Sequence, residues 1–308
     1  MAVTTTTNVP PELDRFFDNI LLDRRQENYI HMMGAQIRSL PQKNSSTVTF
    51  RRYDNLADAL TPLTEAVTPN SESVSKFDIT ATALQYGKVV ELSDTVIITV
   101  QDRTSNEVAD MLTQNMNSTL DKIVRNMLNA TASGIACTNG FNGGTPTEIN
   151  QTDIDLAIDY LEGNNAVKYV PVLEGQNKFG TAPRWASYWG LINSDLRSDL
   201  KAVSSFLSRN QYPDPKAALQ AELGSTDEVS WLMSSEVYES AGTYNNIIFG
   251  QNAFARIAID DLSSEFIIKP LGWGEDRLNQ RQSMGWKSFF ASVILDDGWV
   301  TNLTATKA

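Results

Sequence analysis

The chain has 308 residues, of which 41% are hydrophobic and 20% charged, the composition of a folded protein with a sizeable core. With 25 lysines and arginines against 37 aspartates and glutamates, the formal net charge of −12 argues against tight wrapping by nucleic acid as the main function. One histidine and one cysteine exclude multi-histidine metal sites and an intrachain disulfide. No apolar run has the length of a membrane span, and residues 1–11 lack the features of a secretory signal.

The beginning of the chain predicts a polar arm followed by a helix. Apolar residues recur at helical spacing and Pro41 would end the run, so we expect a helix within residues 12–40. The one histidine, His31, lies in this predicted helix and is the single candidate for a Ser-His or Cys-His arrangement. Its place on an amphipathic helix beside Tyr29 and Met32 favours a structural role instead.

Residues 47–100 change to strand-like patterns, with alternation in the first two runs and β-branched residues in the later ones. The predicted strands are 47–53, 76–80, 89–92 and 96–100. We interpret 47–93 as a long hairpin, whose tip, 54–75, is polar, contains prolines and has few bulky apolar residues. Because an isolated two-stranded hairpin is marginally stable in water, it must lie on the chain's own core or on another subunit.

The strongest pattern predicts one long helix over 104–130, ended by Ser133-Gly134. Its apolar residues fall mostly three and four positions apart and line one face: Val108, Met111, Leu112, Met116, Leu120, Ile123, Val124, Met127 and Leu128. At 1.5 Å per residue this helix would be about 40 Å long, which suits a spine of the fold. The opposite face is polar and is expected to be exposed; it includes Asp110, Gln114, Asn117 and Asp121.

The second half of the chain alternates helical and strand-like patterns, which favours an α/β or α+β unit. The glycine-rich segment 138–146 is the best domain boundary. Beyond it we expect helices over 152–161 and 185–200 and strands over 169–173 and 229–233, with 219–223 ambiguous. The end of the chain returns to strands at 247–249, 254–259, 266–268 and 288–295, with a last one after the Asp297-Gly298 turn.

The motifs that carry chemistry favour a protein that is not an enzyme. The glycines of 140–144 lack the Gly-Lys-Ser/Thr of a phosphate-binding loop, and Gly272-Trp273-Gly274 lacks the third glycine of a dinucleotide fingerprint. The densest carboxylates, Asp153, Asp155 and Asp159, lack the glycine turn and distal glutamate of a calcium loop. We therefore predict no catalytic residue, no cofactor and no metal. Paired carboxylates that meet in space could still form a hydrolase site, which is the alternative from a different class.

An ordered set of motifs resembles the major capsid proteins of tailed double-stranded DNA bacteriophages. YGKVVELSD at 86–94 stands directly before the predicted long helix, and PLTEAVTP at 62–69 is similar to the family's proline-bounded tip, with Ala66 where glycine is expected. Further matches are SYW at 187–189, SDL at 194–196, ELGS at 222–225, FGQNAF at 249–254, LNQR at 278–281 and GWK at 285–287. The branch it resembles includes the coliphage N-four capsid protein, although Asn193-Ser194 replaces that branch's usual His-Pro.

The resemblance implies an α+β chain with the Hong Kong 97-type capsid fold. Such a fold would contain an N-terminal arm, an extended hairpin loop, a peripheral domain built on a long spine helix, and an axial domain. The corresponding segments would be 1–46 for the arm and its helix, 47–93 for the extended loop, 94–147 for the peripheral domain with its spine at 104–130, 148–244 for the axial domain and 245–308 for strands that complete the peripheral domain.

The same resemblance implies a structural function, self-assembly into hexamers and pentamers of an icosahedral shell around packaged double-stranded DNA. Partners would be further copies of the chain, the portal, and scaffold or decoration proteins, with DNA nearby but not read by sequence. The location would be the virion, after assembly in the cytoplasm of a bacterial host. Contacts between subunits are expected at Arg51, Arg52, Glu65, Lys76, Asp110, Gln114, Asn117 and Asp121, with solvated faces as the simpler alternative. A related alternative is an encapsulin-like compartment shell that holds a cargo enzyme.

Overall fold

The computed structural model describes residues 29–41, 45–53, 56–63, 65, 68, 71–99, 104–130, 134–138, 143–169, 186–212, 219, 221–259, 264–274, 276 and 278–308. The strands in this part of the chain are β1 (Gln36–Leu40), β2 (Thr47–Tyr53), β3 (Lys76–Thr82), β4 (Leu84–Ser93), β5 (Gly134–Ala136), β6 (Tyr188–Asn193), β7 (Phe206–Ser208), β8 (Glu222–Thr226), β9 (Val229–Ser234), β10 (Glu239–Ser240), β11 (Thr243–Phe249), β12 (Phe254–Ile259), β13 (Glu265–Lys269), β14 (Arg281–Ile294) and β15 (Val300–Thr306). The α-helices are α1 (Asp94–Thr99), α2 (Thr104–Asn129), α3 (Gln151–Gly163) and α4 (Arg197–Ala202), and single 3₁₀ turns are Ser194–Leu196, Arg209–Gln211 and Asp297–Trp299.

The predicted hairpin is confirmed as an antiparallel pair of β2 and β3, in register from Thr47 opposite Thr82 to Tyr53 opposite Lys76. Strand β4 does not extend this pair. It runs antiparallel to β14 over its whole length and so joins a different sheet. The two-stranded excursion therefore consists of 47–82, shorter than the predicted 47–93.

The long helix α2 packs on a five-stranded sheet. Its strand order is β1-β12-β14-β13, with β4 on the other edge of β14. The first half of α2 packs on this sheet, where Leu112, Met284 and Trp286 are buried together, and the Trp286 indole N–H donates to Asn115 Oδ1 at 3.2 Å. The predicted contact of the apolar face with β14 is thus confirmed, and it begins further upstream on β14 than 288–295.

An eight-stranded sheet forms the second layer, in the order β5-β15-β11-β6-β9-β8-β7 with β10 paired to β11. Helix α3 packs against it through Ile154, Ala157 and Leu161, which are fully buried. The last half of α2 lies where the two sheets meet, since Val124 and Leu128 share one core with residues of both sheets, Leu191, Phe249, Phe254 and Phe290. The long helix is therefore a spine that joins both sheets. The C-terminal strands divide between them, with β12 to β14 in one and β11 and β15 in the other.

Three predicted elements differ from the structure. Residues 36–40 form β1, which pairs parallel with β12, instead of continuing a helix. Residues 31–34 form a turn and not a helix, and Gly34 at its end has a φ of 78°, in the left-handed region. The part of the predicted helix at 12–28 lies outside the described residues.

The predicted helix over 185–200 is wrong for its first half, which forms strand β6. This strand lies between β9 and β11, with Tyr188 and 190–193 buried, so its apolar run is nearly continuous and does not alternate. A short continuous apolar run fits a buried strand as well as a buried helix. The predicted strand at 96–100 is likewise wrong, because pairing ends at Ser93 and the chain leaves the sheet as α1. Most of the strand predicted at 169–173 and of the boundary at 138–146 lies outside the described residues.

Close packing of β6 on β9 depends on Gly190. A β-carbon there would lie 2.6 Å from Trp231 Cε3 and 2.9 Å from Val229 Cγ1. The indole cannot easily move, since Trp231 is fully buried and its Nε1–H donates to Thr226 Oγ1 at 2.6 Å. We expect Gly190→Ala to lower the free energy of unfolding by about 1–3 kcal/mol through overpacking, as measured by urea denaturation. The matched control is Gly134→Ala, whose added carbon would meet no atom within 4 Å, and an equal loss in both variants would contradict this account.

Candidate subunit-contact site

The stem of the β2–β3 hairpin (47–53 and 76–82) is held by ion pairs within the chain. Arg51 and Asp78 face each other across the strands, and Arg51 Nε donates to Asp78 Oδ1 at 2.9 Å. Lys76 Nζ lies 3.7 Å from Asp78 Oδ2. The hydrogen bond from the Arg51 guanidinium lowers the pKa of the Asp78 carboxyl. These groups are largely exposed, so the pairs fix the register of the stem more than they add stability.

Arg52 connects the stem to the rest of the molecule. Its Nη1 donates to Asp296 Oδ2, in the turn between β14 and β15, and its guanidinium lies 5.8 Å from the centre of the Phe77 ring. The base of the stem also packs on the five-stranded sheet, where Ala81 is buried with Leu40 and Ile257. The base of the hairpin is thus attached to the body of its own chain.

The tip of the hairpin (54–75) presents apolar side chains to solvent. The exposed fractions of Leu56, Leu60 and Leu63 are 55%, 87% and 77%. Glu65 is exposed as well. Three exposed leucines within eight residues make the tip a candidate interaction surface. Sequence reasoning underrated this feature, although the three leucines can be read directly from 56–63.

The polar face of α2 is only partly open. Asp110 is exposed and Gln114 and Asn117 are half-buried, whereas Asp121 is fully buried. The expectation that Asp121 faces outward is wrong. A segment of the same chain, residues 30–35, covers it; we call this segment the strap.

Contact between the strap and α2 accounts for the burial of both His31 and Asp121. The backbone N–H of His31 donates to Asp121 Oδ1 at 2.9 Å, and His31 Nδ1 lies 2.7 Å from Asp121 Oδ2. Both side chains are fully buried. Further along, the Tyr169 hydroxyl donates to Gly34 O at 2.8 Å, and the Tyr169 ring stacks on Trp189 at 4.1 Å. The structural role expected for His31 is confirmed: it fixes the strap to the spine helix.

The remaining candidates for chemistry have structural contacts. Asp153 is fully buried at the start of α3, and its Oδ1 accepts from Thr138 N at 3.1 Å. Burial raises the pKa of the Cys137 thiol, which makes it a poor nucleophile. Within the described residues, no group of three or more His, Cys, Asp or Glu side chains is placed to hold a metal ion. Nor does this part of the chain contain a helix that is long and apolar enough to span a membrane.

No protein-family model matches the chain, and no curated protein matches it either. Several solved structures do match the chain. The capsid of Ralstonia phage GP4 is similar with a TM-score of 0.72 at 10% identity, over 100% of this chain and 98% of that one. The chain has a phage capsid fold. The cyanophage Pam1 capsid has a TM-score of 0.70 at 11% identity with 100% of both chains covered, and the cyanophage P-SCSP1u capsid has 0.64 at 12% identity with 100% of this chain and 96% of that one covered. The expected α+β class and Hong Kong 97-type fold are therefore confirmed.

Within this capsid fold, the residues predicted for subunit contacts fall into separate places. Arg51 and Lys76 come together around Asp78 on the stem, and Arg52 points to the body of its own chain. Glu65 stands apart on the exposed tip. Of the four spine residues, only Asp110 is exposed. A contact role remains a prediction for all of them except Asp121, whose side chain is inside the subunit.

Proposed function

We propose that the chain is a major capsid protein that self-assembles into the hexamers and pentamers of an icosahedral shell around double-stranded DNA. The observation that carries this proposal is the likeness of the fold to phage capsids over 100% of this chain. The exposed leucines of the tip add support, because a subunit that remained alone would leave them in water. The net charge of −12 suits a container that must not bind its genome tightly.

In this proposal α2 is the spine of the peripheral domain and the five-stranded sheet is its floor. The eight-stranded sheet is the main part of the axial domain, and the 47–82 hairpin is the extended loop. Further partners are the portal and scaffold or decoration proteins, and the subunit reaches the virion after assembly in a bacterial cytoplasm. We assign the chain to the branch that includes the coliphage N-four capsid protein, and the motifs at 86–94 and 62–69 support this assignment.

Negative-stain electron microscopy of the purified, expressed protein tests the proposal. Closed shells, or rings of five and six subunits, are expected. A protein that remains a monomer in light scattering at high concentration and hydrolyses a glycoside would support the hydrolase alternative. Particles isolated with a cargo protein and without DNA would support the compartment-shell alternative.

A further inference from the structure

A cleft of about 400 Å³ opens where α4 meets β8 and β9 of the eight-stranded sheet. Its wall carries three cations, Arg197 and Lys201 on α4 and Arg209 on the 3₁₀ turn that follows β7. Arg197 and Lys201 are four positions apart, so they lie on one face of the helix with their β-carbons about 6 Å apart. We call this surface, together with Ser208 and Asn210 beside it, the cationic cleft.

The three cations of the cationic cleft have no ionic partner within the part of the chain that the structure describes. Arg197, Lys201 and Arg209 are exposed, and none of them forms an ion pair there. By contrast, the ammonium groups of Lys122 and Lys287 lie 2.9 and 3.2 Å from a glutamate oxygen. Like charges held together repel each other unless an anion covers them. In a chain with a net charge of −12, such an uncompensated group of cations is a candidate anion-binding site.

The nearby carboxylates do not neutralise these cations. Glu222 is the one carboxylate among the described residues that line the cleft, and it is buried. Its Oε1 accepts from the Tyr212 hydroxyl and its Oε2 from Leu219 N, both at 2.7 Å. Asp195 and Asp199, beside and within α4, are not among those lining residues and accept hydrogen bonds elsewhere. The cleft therefore keeps a positive charge that an anion from outside the subunit can meet.

The composition of the cationic cleft favours the phosphate backbone of double-stranded nucleic acid. Arginine and lysine form charge-assisted hydrogen bonds with phosphate, and the side chains of Ser208 and Asn210 add donors of the kind that contact phosphate oxygens. Three cations exceed the single negative charge of one carboxylate, whereas a DNA strand carries a charge on every phosphate. The described residues that line the cleft include no aromatic ring on which an unpaired base could stack, which disfavours a single strand.

We infer that the cationic cleft binds phosphates of double-stranded DNA. The inference rests on the proposed function and assigns, within it, a surface of the subunit that contacts the packaged DNA. Contacts to the backbone alone read no sequence. About three phosphate contacts make each site weak, in agreement with the net charge of −12. The many copies in one shell would act on the same DNA together.

Protection of Lys201 from acetylation, measured by mass spectrometry on unassembled subunits at low salt, tests the site. A short DNA duplex should slow acetylation of Lys201 severalfold and leave that of Lys88 unchanged. Lys88 is the internal reference because it is also exposed and, among the described residues, also outside any ion pair, but lies on the five-stranded sheet. Equal rates at Lys201 with and without duplex, in a protein that forms closed shells, would overturn the DNA site and leave the proposed function standing. A protein that forms no shells would overturn the proposed function, whether or not Lys201 is protected.

Two other anions identify the source of the negative charge. Inorganic phosphate at the same total phosphate concentration, and polyglutamate at the same concentration of charge, should each protect Lys201 less than the duplex does. Equal protection by inorganic phosphate would reveal a site for the free ion. Equal or stronger protection by polyglutamate would reveal a site for an acidic protein segment. Either result would overturn DNA as the ligand.

The salt dependence of duplex binding provides a measurement on variants. Arg197→Gln with Arg209→Gln should weaken binding of a fluorescent duplex about tenfold and reduce the slope of log affinity against log salt by about 2. The matched control, Arg38→Gln with Lys88→Gln, removes the same charge from two exposed cations outside the cleft and should leave the slope unchanged. Thermal melting of both variants controls for folding. Equal losses in the two folded variants would show that net charge drives binding and would contradict a site in the cationic cleft.

Discussion

Replacement of residues 54–75 by an Asn-Gly turn is expected to abolish closed shells while the subunit stays folded. Tyr53 and Lys76 are directly opposite each other, so a two-residue turn can join the strands in their present register. The change removes the exposed leucines of the tip but keeps Ala81 and its contacts with Leu40 and Ile257. Gel filtration and negative-stain images should show soluble monomers or capsomers in place of particles.

The control for this deletion keeps the length of the loop and changes only its apolar residues. Leu60→Ser with Leu63→Ser should weaken assembly in the same direction, because both side chains are exposed in the free subunit and, in the proposed shell, would be buried between subunits. Circular dichroism melts should be unchanged for both variants. Closed shells formed by the deletion variant would show that the tip is dispensable.

Asp121→Ala is expected to lower the free energy of unfolding of the isolated subunit by about 3 kcal/mol, and urea denaturation measures it. The carboxylate accepts from the backbone N–H and lies against Nδ1 of His31, and it is also 3.4 Å from Met32 N. All of these groups are left without that acceptor when the side chain is removed. Because His31 belongs to the strap, loss of this carboxylate also loosens the segment that leads into β1.

Asp110→Ala is the matched control, since Asp110 is an acidic residue on the same helix but is exposed. Its free energy of unfolding should change by no more than about 0.5 kcal/mol. If Asp121 were a contact between subunits, Asp121→Ala would spare the isolated subunit and impair only assembly. That pattern would refute the structural role.

Elements with a long local pattern could be predicted from the sequence. Helix α2 has an apolar repeat sustained over 104–130, and β2 and β3 alternate on either side of one polar tip. Elements that become helix or strand only through pairing with distant parts of the chain could not be predicted from the sequence. Strand β6 has a continuous apolar run, and it is a strand because it pairs with β9 and β11. Strand β1 likewise forms by pairing with β12, which comes more than 200 residues later in the chain.

The same limit applies to the candidate site. Helical periodicity places Asp121 on the polar face of α2, but the residue that covers it, His31, precedes it by 90 positions. The sheet beneath α2 also joins distant segments, because Gly87 comes from β4 and Gly285 from β14. A signal for it did exist, since the motifs YGKVVELSD and GWK each carry one of these glycines. What the sequence alone does not supply is that the two strands carrying these glycines pair.

The pairing of β4 with β14 sets an order of events during synthesis. Both strands of the hairpin leave the ribosome early and can pair locally, so the tip exists from the first third of the chain. The five-stranded sheet cannot form until β14 has been made, because every residue of β4 pairs with a residue of 281–290. A nascent chain therefore contains the hairpin before it contains the strands on which the base of that hairpin packs, since Ala81 is buried with Ile257 and Ala291. The base of the hairpin therefore has its full packing surface only when the chain is nearly finished.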